Sequence, residues 1–159
     1  MKNLTIKSIF KVYQFEELSE EDRKLITLAK NACNNSYVPY SNFAVGAAAR
    51  LADGTIVTGT NQENAAYPSG ICAERTTLFY ANSQYPDQAV DTLAVAAYNQ
   101  GSYLQSPIPP CGSCRQVILE TENRYKKPMR ILLYGEKEIY ECDGISNLLP
   151  LSFTAKNME

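Results

Sequence analysis

Met129-Arg130-Ile131-Leu132-Leu133-Tyr134-Gly135-Glu136-Lys137-Glu138-Ile139-Tyr140-Glu141-Cys142 holds two strand-forming runs, 129–134 and 139–142, separated by only four polar or turn residues. A parallel crossover needs a dozen or more residues, so these two strands must be antiparallel neighbours. Working back along the chain, Cys111 to Thr121 follows Pro109 and Pro110 and predicts a helix with Val117 and Ile118 on its inner side. Thr92 to Tyr98 reads as a buried strand. Cys72 to Ala81 predicts a helix whose apolar positions are Leu78, Phe79 and Ala81. Phe43 to Leu51 and Thr55 to Thr60 flank an Asp53-Gly54 turn signal and predict a hairpin. Ser19-Glu20-Glu21-Asp22 is a capping sequence ahead of Leu25, Leu28, Ala29, Ala32 and Cys33, which recur at helical spacing. The expected fold class is therefore α/β: a three-layer α/β/α sandwich around a five-stranded mixed sheet, its last two strands antiparallel. Residues 1–159 suit a single domain, with 1–18 as a flexible N-terminal lead.

The formal net charge of -2 gives no electrostatic basis for binding a polyanion, which draws its affinity from Lys and Arg on phosphates. The cluster Arg124, Lys126, Lys127 and Arg130 reads as the solvated end of a helix, and Glu16 to Asp22 as an acidic helix start. The first twenty-four residues lack the apolar run of a secretory signal, and no segment reaches membrane-spanning length. A cytoplasmic protein is the expectation. In a reducing compartment the five cysteines are thiols or metal ligands rather than disulfides.

Cys111-Gly112-Ser113-Cys114 places two thiols on one side of a helix's first turn, where exposed N–H groups favour thiolates. Cys72 stands at another predicted helix start, so two helix N-termini can bring three sulfurs to one Zn²⁺, leaving the fourth position for water. Cys72 and Glu74 are two residues apart and can serve one site only at the helix entrance. A carboxylate there can take a proton from metal-activated water, which makes Glu74 a candidate catalytic acid/base rather than a ligand. The chain has no histidine, which removes imidazole-based triads and fixes any transition-metal site as sulfur-rich. Three thiolates leave a net negative site, and Arg75 is the candidate charge compensator.

Five ordered segments then resemble the free-nucleoside cytidine deaminases of the three-cysteine type. They are Tyr40-Ser41-Asn42-Phe43-Ala44-Val45-Gly46-Ala47, Asn61-Gln62-Glu63-Asn64-Ala65-Ala66-Tyr67, Cys72-Ala73-Glu74-Arg75-Thr76, Pro110-Cys111-Gly112-Ser113-Cys114-Arg115-Gln116 and Leu148-Leu149-Pro150-Leu151-Ser152-Phe153. The resemblance implies hydrolytic deamination of cytidine and deoxycytidine in pyrimidine salvage, with one Zn²⁺ per subunit. It implies that Phe43 stacks on the pyrimidine, that Asn61 and Glu63 bind the ribose, and that the Ala73 backbone N–H meets the base. It also implies a homotetramer in which Tyr67 and Phe153 help close a pocket across subunits. The expected partner is a small-molecule nucleoside, with no nucleic acid and no membrane.

The chain departs from that pattern in its longer lead, in Ser69-Gly70-Ile71 and in Ser106-Pro107-Ile108-Pro109. Cys33 and Cys142 match no ligand position. Three other readings stay open at the level of sequence. A polynucleotide deaminase needs a basic groove. A closed structural zinc module needs Cys33 or Cys142 as a fourth ligand. A related aminohydrolase would act on another aminopyrimidine or a nucleoside antibiotic.

Overall fold

The computed structural model describes residues 1–158. The helices form where the patterning places them. Ser19 caps α1 (Glu20–Ala32) by accepting the Asp22 N–H, and Leu25, Ile26, Ala29 and Ala32 form its buried stripe. Ile26 is fully buried while Leu28 is only half-buried, so the stripe runs one residue round from the expected one. α2 spans Ala73–Gln84 and α3 Gly112–Tyr125, with Cys72 and Cys111 as extended N-cap residues. α3 ends on Lys126 in the left-handed conformation, and its N–H closes the last turn.

The sheet has seven strands rather than the expected five. The foreseen ones are β2 (Ala44–Leu51), β3 (Ile56–Thr60), β4 (Val90–Asn99), β6 (Arg130–Tyr134) and β7 (Ile139–Asp143). The two added ones are β1 (Lys11–Tyr13) and β5 (Ser102–Tyr103). The order is β1-β7-β6-β4-β2-β3, with β5 folding back on β4. β4 and β6 are the parallel pair, joined through α3, and β6 and β7 are antiparallel as their short connection requires. β1 and β5 escape the sequence pattern because three-residue and two-residue strands carry no period. β5 is set by the tight turn Gln100-Gly101, both at positive φ, and β1 by antiparallel pairing of Lys11–Tyr13 with Ile139–Glu141. Part of the N-terminal lead is therefore an edge strand.

Strand alternation divides the core. Ala47, Ala49, Leu93, Val95, Ile131 and Leu133 pack with α2 and α3, while Ala48, Ala94, Ala96 and Leu132 pack with α1. The contacts are close enough to need glycine. A Cβ at Gly46 would lie 2.1 Å from the Ala29 carbonyl oxygen of α1, and one at Gly59 2.7 Å from the Thr77 backbone nitrogen of α2. Gly59 thus lets α2 settle against β3.

A charge network joins the lead to the sheet and α1. Arg130 bridges Asp22 at 3.0 Å and Glu141 at 2.7 Å, Arg50 reaches Asp22 at 3.4 Å, and Lys11 pairs with Glu141 at 2.9 Å. Burial acts to raise both carboxyls, but the Arg130 hydrogen bonds overcome it, and Asp22 and Glu141 both sit below their ordinary values. A carboxyl lowered on folding adds stability above its unfolded pKa, and that contribution is lost as pH falls through the lowered folded value. The urea midpoint should therefore fall once pH drops below about 4. Arg130→Met, which leaves two buried carboxylates with weaker partners, should cost about 2–3 kcal/mol at neutral pH and flatten the acid dependence. Equal urea midpoints for variant and wild type at pH 7 would contradict this.

Candidate active site

The two helix N-termini of α2 and α3 meet at one end of the sheet, and three thiols meet there with them. Cys72 Sγ lies 3.7 Å from Cys111 Sγ, Cys111 Sγ lies 3.5 Å from Cys114 Sγ, and all three fall within 4.8 Å of one another. A tetrahedron with ~2.3 Å zinc–sulfur bonds has sulfur–sulfur edges of ~3.8 Å, so the spacing and the all-sulfur donor set fit zinc. Cys114 is fully buried in the first turn of α3, and Cys111 is exposed at its cap. The gathering has a local cause: Cys111 and Cys114 share a helical face, while Cys72 projects from an extended cap with ψ at 155°.

That extended cap also resolves the two-residue spacing of Cys72 and Glu74. Cys72 stands outside the helix and Glu74 inside its first turn, so both border the same cavity. Glu74 is 5% exposed. Burial pushes its carboxyl above the usual value, the nearby Cys72 thiolate adds to the shift, and its own backbone N–H opposes it. Within the cluster the Cys114 thiol donates to Cys72 and holds it down, with Arg75 adding to the effect, while Cys114 itself is pushed up. Arg75 Nη2 donates to Cys72 Sγ at 3.7 Å, which places a cation beside the sulfurs.

A cavity of about 770 Å³ opens from this cluster. Phe43, Asn61, Glu63, Ala73 and Tyr67 all line it, together with Glu74 and Arg75. Asn61 Oδ1 accepts the Val45 N–H and its Nδ2 donates to the Phe43 carbonyl, each at 2.8 Å. Glu63 Oε2 accepts the N–H groups of Tyr40 and Ser41, and the hydrogen bonds from Ser41 and Tyr40 lower its carboxyl. Ala73 opens α2, where backbone N–H groups have no helical partner. Phe153 stands elsewhere: it is exposed, it is not part of the cavity wall, and its carbonyl accepts from the Gln116 side chain.

Cys33 and Cys142 lie away from the cluster. Cys33 donates to the carbonyls of Ala29 and Ala96, and Cys142 packs in the core beneath α3. Burial pushes their thiols up to about 11 and about 12, and neither sulfur belongs to the group of three that could share a metal ion. Tyr40, Ser41, Val45 and Asn64, to which the residues alone assign no role, also line the cavity, as do Ile108 and Pro109 of the proline-rich approach to α3. The cue for Tyr40 to Val45 and Asn64 is that they lie inside two of the resembling segments.

Three converging sulfurs, a buried carboxylate and an open cavity form the centre of a metal-dependent enzyme rather than a closed structural site. Comparison with known proteins narrows the class. Residues 19–127 match the model of the cytidine and deoxycytidylate deaminase zinc-binding region. A cytidine deaminase of Halalkalibacterium halodurans is 42% identical over 134 residues, covering 84% of this chain and 95% of the relative. One from Sporosarcina psychrophila is 42% identical over 85% of this chain and 93% of its own. Among solved structures, cytidine deaminase from Burkholderia pseudomallei superposes with a TM-score of 0.71 at 37% identity, covering 86% of this chain and 100% of that one. The Mycobacterium tuberculosis enzyme gives 0.67 at 34% identity, covering 86% and 99%. The chain belongs to the zinc-binding cytidine and deoxycytidylate deaminase family. Among the described residues, no helix is long and apolar enough to cross a membrane.

Proposed function

We propose that this protein hydrolyses cytidine and deoxycytidine to uridine and deoxyuridine with release of ammonia. The observation that carries this reading is the meeting of Cys72, Cys111 and Cys114 with buried Glu74 at the wall of a cavity that Phe43, Asn61 and Glu63 also line. Cys72, Cys111 and Cys114 would hold one Zn²⁺ per subunit, with Arg75 offsetting the negative charge of three thiolates. Zinc supplies a Lewis acid that makes water nucleophilic at neutral pH.

The protein's own groups do the rest. Phe43 offers a flat apolar face to the pyrimidine, and the Ala73 N–H at the start of α2 donates to the base. Glu74 accepts a proton from the attacking water and passes it to N3 as the new C4–O bond forms. The same carboxylate then returns the second water proton to the departing amine, so that one water is consumed and one ammonia leaves. A carboxyl held above its usual value by burial is suited to this two-way transfer.

The cavity favours a nucleoside over a nucleotide. Among the described residues lining it, Arg75 is the only cation and it is engaged with Cys72, while Glu63 and Glu74 add negative charge. A 5′-phosphate thus meets no free Lys or Arg, and charge-assisted contacts of about 1.5–3 kcal/mol are missing. Ammonia release should be rapid with cytidine and deoxycytidine, and kcat/KM should be roughly 10-fold to 100-fold lower for their monophosphates. A cytosine oligonucleotide should be inert. Preference for deoxycytidylate or the oligonucleotide would overturn the reading.

Several coarser features complete it. The split of the core between α1 on one side and α2 with α3 on the other supports a single three-layer α/β/α domain. Exposed Tyr67 at the cavity mouth and exposed Phe153 fit closure of each pocket by a neighbouring subunit of a homotetramer. A cytoplasmic role in pyrimidine salvage is consistent with this substrate class.

A further inference from the structure

Three of the four residues ahead of Cys111 are prolines, Pro107, Pro109 and Pro110, with only Ile108 between them. Each proline fixes its own φ and biases the residue before it toward extended backbone. Residues 107–110 are therefore a stiff strap that passes a displacement at one end on to the other. Ile108 and Pro109 form part of the cavity wall, and Cys111, where the strap ends, is one of the three clustered sulfurs.

Both ends of the strap are anchored. At the α3 end the Arg115 side chain folds back: its Nε donates to the Pro110 carbonyl at 2.8 Å and its Nη1 to the Leu148 carbonyl at 2.6 Å. At the other end the chain lies on the turn between β6 and β7. The Glu136 N–H donates to the Leu104 carbonyl at 2.9 Å and the Lys137 N–H to the Gln105 carbonyl at 3.0 Å. The Gln105 side-chain amide also donates to the Glu136 carboxylate. Gly135 makes the closest approach. A Cβ there would stand 2.6 Å from the Pro107 nitrogen, 2.7 Å from the Ser106 carbonyl carbon and 2.8 Å from the Gln105 carbonyl oxygen. All three are backbone atoms, which cannot swing aside as the end of a side chain can. Gly135 is not held at positive φ, so what needs glycine there is the contact and not the conformation of the turn.

We propose that Gly135 is a positioning residue: by letting the β6–β7 turn seat against 105–107 it sets, through the proline strap, where Cys111 and the Ile108–Pro109 wall stand. This rests on the zinc reading of the cluster given above. None of residues 135–138 lines the cavity, and the strap is what touches both the turn and the site.

The test is Gly135→Ala, alone and combined with Pro107→Gly, which loosens the strap at the point of contact without altering a residue of the cavity wall. The readouts are zinc release from the purified holoenzyme to a chromogenic chelator and KM for cytidine, with folding checked by near-ultraviolet circular dichroism. Groups that support a metal ligand from behind are worth about 10-fold to 100-fold in metal affinity, so Gly135→Ala should speed zinc release by roughly tenfold and raise KM. On the Pro107→Gly background the same substitution should change release by no more than about twofold, because the loosened strap absorbs the shift. A glycine that serves only the stability of the hairpin would lower the melting temperature and leave zinc release unchanged, and that result would overturn the proposal. Equal acceleration on both backgrounds would overturn it too, since the shift would then reach the site by another route. Should Gly135→Ala fail to fold, Pro107→Gly alone carries the test: it should itself speed release, and wild-type release from it would show that the strap does not set Cys111. A wild-type protein that binds no zinc would instead sink the metal reading on which the proposal stands.

Discussion

Glu74→Gln is expected to lower kcat on cytidine by at least roughly a thousandfold while leaving zinc content and thermal stability close to those of the wild type. Gln matches Glu in volume and retains a polar group in the same buried slot, so the packing at the start of α2 survives. What it lacks is the ability to accept a proton from water and carry it to N3. Glu74 is not one of the three clustered sulfur ligands, so metal retention should be indifferent to the change. The measurement is a steady-state ammonia assay alongside zinc analysis of the same preparation. Turnover near the wild-type rate would remove Glu74 from the mechanism.

Cys111→Ala should have the second large effect, on metal and activity together. Cys111 is exposed at the α3 cap, so its removal opens no core cavity and isolates the loss of a ligand better than removal of fully buried Cys114 would. Two remaining sulfurs make a far weaker site, and zinc binding is coupled to the stability of the segments it joins. Zinc in dialysed protein should fall from about one per chain to a small fraction of that, with deamination lost and melting temperature lowered. Cys33→Ala and Cys142→Ala should keep their zinc. Full zinc in Cys111→Ala, or loss in either of the other two, would require a different ligand set.

The cysteine cluster was legible in the sequence because its geometry is largely local. Two cysteines three apart at a helix start define a helical face, and the site needs long-range structure only to bring Cys72 to them. The connection of four residues between 134 and 139 likewise settled the direction of the last two strands. The two short strands were hidden for the opposite reason. Lys11–Tyr13 becomes a strand because β7 presents an unpaired edge and Glu141 a partner for Lys11, and neither fact resides in the segment itself. The cavity wall divides in the same way. Phe43, Asn61 and Glu63 came from resemblance, not from period or spacing, and the hydrogen bonds of Asn61 to the Val45 and Phe43 main chain and of Glu63 to Tyr40 and Ser41 join residues well separated in sequence. Phe153 has no contact with the cavity of its own subunit, and the role that the resemblance implies for it lies across subunits.

Zinc K-edge X-ray absorption on the purified holoenzyme tests the central claim most directly, because the proposed reaction needs a metal held by three protein ligands, here the three clustered sulfurs, with one exchangeable position. The account predicts three sulfurs at about 2.3 Å and one lighter oxygen or nitrogen ligand. Four sulfurs would contradict it, since a closed site leaves no place for water and would return Cys33 or Cys142 to the ligand set.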